Sequence, residues 1–295
     1  MIKLDLSPGF GYLPVFWALF TSFTFLLCYT IAVSQNHIYP FVPSISDTGA
    51  RIPEANLFSE FFNFSAVLLA VSVFVRYLQF QMLTKGFESS DLHLSRLNKF
   101  GLGFGLVSAF GGTIIANFPS NEVSQISVLE HEHTKVPGII HYIGRTLVGV
   151  CGIKYCSLQT IITYYLIKPQ TNTVKLFALR LATSILLCMS GLMHVSMDVW
   201  LAARLLKGAA NSEKQRYSNL KDEEDTMFFI NDISEWLTFV LFALFSSTYS
   251  VEFHRLDRLE MSCFEKDSQE KKPAERFQNG YFKLKQEGSE NSDLD

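Results

Sequence analysis

The chain has 295 residues, 48% of them hydrophobic, with 25 Lys and Arg against 28 Asp and Glu and a formal charge of −3. That balance gives no sign of a nucleic-acid partner, and none is expected. A mean hydropathy of +0.18 would fit a soluble protein if the apolar residues were evenly spread. They are instead gathered into six windows long enough to cross a bilayer core, which takes about twenty residues each.

The first window, Tyr12 to Val33, follows only Lys3 as a basic residue. Its apolar run exceeds the roughly 7–15 residues of a signal peptide's central region, so a retained signal-anchor is expected, with cleavage near Ser34 as the alternative. Next comes Tyr39 to Glu54, YPFVPSISDTGARIPE, whose three prolines exclude a helix and a lipid-facing position. Gly49 permits a turn and Asp47 can bond its own backbone. The segment either braces two helix ends or displays a binding site at the membrane surface.

The second window, Phe58 to Gln79, carries Glu60, Asn63 and Arg76. Asn63-Phe64-Ser65 matches a glycosylation sequon, but inside a span no glycan is expected. In the third, Phe100 to Phe118, Gly101 and Gly105, then Ser108 and Gly112, stand four apart, a spacing that lets helices approach closely in lipid. His131, Glu132 and His133 follow in a loop and read as solvated residues, with no metal site assigned. The fourth window, Ile139 to Ile167, holds His141, Arg145 and Lys154; the fifth, Leu176 to Leu205, holds His194 and Asp198; the sixth, Met227 to Phe253, holds Glu235. The fold expected is all-α, a six-helix transmembrane bundle over residues 1–254.

Residues 255–295 are rich in Glu, Asp, Lys, Ser and Gln and too poor in apolar residues to build a core. They read as a disordered cytosolic tail. Within it, Gly280-Tyr281-Phe282-Lys283-Leu284 has the form of an endosomal sorting signal, in which Tyr281 and Leu284 would dock on a membrane-trafficking adaptor. The five cysteines, Cys28, Cys151, Cys156, Cys188 and Cys263, imply no disulfide framework.

Lys and Arg cluster around the second and fourth loops (Arg76, Lys85, Arg96 and Lys99; Lys168, Lys175 and Arg180), whereas the first and third have only Arg51 and Lys135. By the positive-inside rule both termini are cytosolic and the first loop is lumenal, although Arg204, Lys207, Lys214, Arg216 and Lys221 in the fifth loop oppose it. Glu60, Arg145, His194, Asp198 and Glu235 then fall toward the lumenal side. Ionisable groups at depth pair or face a wet cavity, so these five are expected to form a lumen-open polar funnel, with Arg145 paired to Glu60, Asp198 or Glu235. The funnel is a structural network, a lipid-headgroup site with Arg145 on phosphate, or a lipid-modifying active site.

Pro43 to Glu54, which includes Ser46, Asp47, Thr48, Gly49, Pro53 and Glu54, closely resembles the first-loop signature of the damage-regulated autophagy modulator (DRAM) family, within the FRAG/DRAM/Sfk group. Asn63-Phe-Ser-Ala66, Ile115-Ala-Asn-Phe118, Leu158 to Tyr164 and Ser234-Glu-Trp236 agree in order and spacing, so the resemblance covers roughly the first 255 residues. It implies a six-span protein of lysosomal or other endomembranes, linked to autophagy and, in some members, cell death; wider relatives are tied to glycosylphosphatidylinositol-anchor remodelling or to recruiting a phosphoinositide kinase. It supplies no catalytic residues, and Arg145 and Lys154 depart from the family pattern. The function expected is a non-enzymatic, multi-pass modulator of autophagy that binds a lipid or protein, with membrane lipids as partners and no cofactor. The alternative is a membrane-embedded lipid-remodelling factor, and residence at the plasma membrane is the alternative location.

Overall fold

The computed structural model describes residues 10–84, 92–118, 135–166, 171–206 and 224–253. Apart from two single 3-10 turns, the described elements are α-helices: α1 (Leu13–Ser34), α2 (Glu54–Thr84), α3 (Leu92–Asn117), α4 (Lys135–Tyr165), α5 (Thr171–Leu206), α6 (Glu224–Ser247) and the short α7 (Ser250–Phe253). Six of them are long and apolar enough to cross a membrane. The protein is a multi-pass membrane protein. The tail with Tyr281, Leu284 and Cys263, and the loop with His131, Glu132 and His133, lie outside the described residues.

Each helix packs on its chain neighbours, and α1 also meets α6, so the six spans close into a ring. Much of the outer surface is apolar, with Phe16, Leu19, Val67, Phe110, Ile185 and Leu244 exposed, as a lipid solvent requires. The α3–α4 contact is the most extensive. There the small residues allow backbone approach: a Cβ added at Gly111 would lie 2.9 Å from the Gly144 carbonyl oxygen, and one at Gly144 3.0 Å from that of Gly111. Gly101, Gly105, Ser108 and Gly112 are all buried in packing faces.

Several boundaries depart from the sequence windows. Helix α2 begins at Glu54 rather than Phe58, immediately after Pro53, and α3 begins eight residues before Phe100, with Arg96 and Lys99 exposed. The sixth window is broken after Ser247. Thr248 turns its hydroxyl back to the Phe245 carbonyl at 2.6 Å, and α7 resumes in a direction that brings Ser250 onto the Gly11 carbonyl at 2.6 Å. The two ends of the bundle therefore meet on one face, opposite the first loop.

Candidate functional site: a cavity under a latched loop

The first loop is folded against the bundle. Ser44, Ile45, Ser46, Asp47, Thr48 and Gly49 are buried, and Asp47–Gly49 forms one 3-10 turn inside a segment expected to contain no helix. Pro43 donates no N–H but its carbonyl accepts Trp236 Nε1 at 2.8 Å. Glu235 takes the next three residues: Ser44 Oγ at 2.5 Å and the Ile45 N–H at 3.1 Å on Oε2, and Ser46 Oγ at 3.0 Å on Oε1. His37 Nδ1 meets Glu54 Oε1 at the other side of the loop, and Tyr29 donates to the Pro40 carbonyl. Glu54 is fully buried.

Beneath the loop lies the charge centre. Arg145 Nη2 stands 3.6 Å from Glu235 Oε2 and donates to His194 Nε2 at 3.1 Å. His194 Nδ1 lies 3.1 Å from Asn231 Oδ1, so the ring accepts at Nε2 and donates at Nδ1, the roles of a neutral imidazole. Asn231 and Glu235 are four apart on α6 and share a face. All four side chains come from α4, α5 and α6, with the loop as the fifth contributor.

Of the residues expected to form a funnel, three meet: Arg145, His194 and Glu235. Glu60 does not join them. Phe58, Phe62, Ser65 and Leu69 carry the inward face of α2, and Glu60, two residues from both Phe58 and Phe62, turns to the exposed side. The side chain of Asp198 lies outside the described residues. His141, one turn before Arg145, points elsewhere and bonds the Phe118 carbonyl at 2.6 Å. Asn63 pairs reciprocally with Asn117, both N–H···O distances being 3.1 Å.

A cavity of about 120 Å³ runs inward from this centre. Arg145, His194, Glu235 and Ser46 line one end; Trp17, Leu69, Ala109, Leu187 and Phe242 are among the apolar residues lining the rest. Along α4 it reaches from Arg145 to Ile153, about 12 Å at 1.5 Å per residue. An apolar cavity of comparable size, about 150 Å³, stays dry and accepts an apolar guest. Among the described residues no three His, Cys, Asp or Glu side chains are grouped to hold a metal ion.

A second buried polar cluster, at the terminal face, was not anticipated from the sequence. Arg76 and Arg180, which figured above only as loop-flanking charges, are fully buried. Both bind Glu252 Oε2, at 3.0 and 2.6 Å. Arg76 also donates to Gln159 and Gln79, and Arg180 to Thr163 and Thr248. The Tyr249 ring lies beneath both guanidinium groups, at 5.1 and 4.5 Å.

The five motifs singled out in the sequence thus serve as interhelical joints. The loop motif meets Ser234-Glu235-Trp236, Asn63 meets Asn117, and Gln159 and Thr163 meet the two arginines. The profile of the Frag1/DRAM/Sfk1/Cwh43P N-terminal domain matches residues 9–256. The chain belongs to this family. Among its relatives, DNA damage-regulated autophagy modulator protein 1 of Mus musculus is 28% identical over 83% of this chain and 91% of its own length. DNA damage-regulated autophagy modulator protein 2 of Bos taurus is 28% identical over 85% and 86%. The modulator of macroautophagy TMEM150B of Danio rerio is 30% identical over 52% and 57%. No solved structure matches the chain.

Proposed function

We propose that this protein is a non-enzymatic modulator of autophagy in lysosomal or endosomal membranes, and that it acts by holding a lipid in the central cavity. The observation that carries the reading is an apolar shaft that ends on the Arg145–Glu235–His194 centre under a latched loop. A hydrocarbon chain fills the shaft, where its burial is worth about 0.8 kcal/mol per methylene. Its headgroup lies at the charged end, with a phosphate oxygen on Arg145. Opening the loop from Glu235 frees one carboxylate oxygen pair and admits the headgroup. The names of the relatives, all modulators of autophagy, supply the process.

The test is to fill the shaft. Leu187→Phe and Gly112→Leu both enlarge side chains that line it; Gly112 has room, since an added Cβ would sit 3.6 Å from Ala66. Protein purified from cells should lose a co-purifying lipid in both variants, with folded yield retained and autophagic flux lowered. If neither variant changes the bound lipid, the cavity is not its site.

A further inference from the structure

Lys154 is an exposed cation in the middle of a span. The span runs Gly138–Tyr165, which places Lys154 about 24 Å from one end and about 16 Å from the other at 1.5 Å per residue. Arg145 and Gln159, on either side of it in α4, turn inward to the two buried clusters. Lys154 turns outward, in line with Ile143, Val150 and Ile161, which are 51, 39 and 44% exposed. One positive charge therefore interrupts an apolar strip that faces lipid. Among the described residues it has no hydrogen bond and no ion pair.

A charge at this depth is costly unless it is paired, and both nearer sources of a counter-charge fail. The span is about 42 Å long against a hydrocarbon core of about 30 Å, so with the span centred Lys154 lies about 11 Å inside the nearer core boundary, farther than a lysine stem reaches toward headgroup phosphates. Among the described residues a second copy of the chain offers no acid at this level: Glu54, Glu60, Asp232, Glu235 and Glu252 all stand within two turns of a span end. A two-fold contact through the strip would moreover set two lysines together. The adjoining surface suits a helix. Gly101 and Gly105 of α3 meet Gln159 and Tyr155, which sets Gly103 level with Ser157, about 4.5 Å in depth from Lys154 at 1.5 Å per residue, and a Cβ at Gly103 would meet nothing within 4 Å. Its missing side chain leaves a notch of the kind that lets helix backbones approach closely in lipid.

We propose that this strip of α4, with Lys154 at its centre and the Gly103 notch about one turn away in depth on α3, receives a transmembrane helix of another protein that carries an Asp or Glu near its middle. The ammonium and the carboxylate neutralise each other where no water is at hand, so the pair selects both the partner and its depth. This inference does not depend on the lipid reading, because Lys154 does not line the cavity.

The test uses the full-length protein in phosphatidylcholine vesicles and labelled synthetic Leu/Ala helices of about 22 residues, with Glu, Leu or Lys at the centre, followed by energy transfer. The Glu helix should bind about tenfold tighter than the Leu helix. Lys154→Leu should abolish that preference, Lys154→Arg keep it, and Lys154→Glu transfer it to the Lys helix. Val150→Trp, which leaves the charge alone and obstructs the strip, should weaken binding of the Glu helix. Equal binding of the three helices, or a preference that survives Lys154→Leu, overturns the proposal. So does finding that Lys154→Leu changes only self-association or the enrichment of anionic phospholipid.

Discussion

The carboxylate of Glu235 accepts the backbone N–H of Ile45, 190 positions earlier in the chain, at 3.1 Å, between hydroxyl donations from Ser44 and Ser46. One side chain on α6 thus holds three consecutive residues of the first loop. Hydrogen bonds to a charged group contribute roughly 1.5–3 kcal/mol each. The double variant Ser44→Ala/Ser46→Ala removes two of the three and should speed amide hydrogen exchange of residues 44–50 by at least about tenfold, equivalent to 1.4 kcal/mol. Exchange in α3 should not change. Unaltered exchange in the loop would mean that Trp236 and packing hold it without Glu235.

The same carboxylate faces Arg145. Removing one partner of a buried pair strands the other charge and costs roughly 3–5 kcal/mol. Arg145→Met and Glu235→Gln should therefore each lower the thermal unfolding midpoint in detergent. The combined variant should lose less than the sum, because the stranded charge is gone. Strictly additive losses would show that the two groups do not act as a pair.

The number of spans was legible because lipid imposes a long apolar window on each helix, and no tertiary contact is needed to read one. The charged centre was partly legible for the same reason: Arg145, His194 and Glu235 stand out against apolar surroundings. Which carboxylate Arg145 would meet was not, since Glu60 and Glu235 differ only in the helix face they occupy, and a hydrophobic window does not fix that face. Arg76, Arg180 and Glu252 stayed hidden for a different reason. They lie near span ends, where charges ordinarily serve orientation, and only the turn at Thr248 brings Glu252 between the two arginines. The loop's latch needed two motifs 190 residues apart to be seen together.

At the terminal face two arginines share one glutamate, so the loss of an arginine and the loss of the glutamate are unequal. Arg76→Met leaves Arg180 with Glu252, a neutral pair. Glu252→Gln leaves two guanidinium groups, both fully buried, facing one another. Glu252→Gln should therefore be the more destabilising by a few kcal/mol, read as folded yield and unfolding midpoint. Equal losses would indicate that Gln159, Thr163 and Thr248 satisfy the arginines by themselves.

Gly49 lies against the ring of Phe58, and a Cβ there would overlap the ring atoms. Gly49→Ala should cost about 1–3 kcal/mol, as overpacking of a filled site does, and should loosen the loop without touching Glu235. Phe58→Ala in the same chain removes Cγ and Cδ2, the two atoms nearest that Cβ, and should recover part of the loss when compared with Phe58→Ala alone. If the second substitution recovers nothing, the glycine serves the 3-10 turn and not the contact.

The last prediction concerns orientation. With Arg76 and Arg180 spent on Glu252, the exposed basic side chains of the terminal face among the described residues are Arg96, Lys99 and Lys175, against a half-buried Arg51 on the loop face, to which the sequence adds Lys135, Arg204 and the fifth-loop basic residues. Among the described side chains the asymmetry survives the loss of the two buried arginines, and by the positive-inside rule it predicts a cytosolic terminal face. Ser250 on Gly11 joins both bundle ends on that face, so the loop that covers the cavity is predicted to face the lumen. Phe41 is two-thirds exposed and, although its ring stacks on Phe229, takes no part in the Glu235 latch, so Phe41→Cys reports the loop face with that latch intact; Lys175→Cys reports the opposite face. With Cys263 replaced by Ser, and in cells whose plasma membrane alone is permeabilised, a membrane-impermeant maleimide should label Lys175→Cys at once and Phe41→Cys only after the internal membranes are opened. The reverse pattern would turn the bundle over, set the charged mouth of the cavity toward the cytosol, and require its lipid to enter from that leaflet.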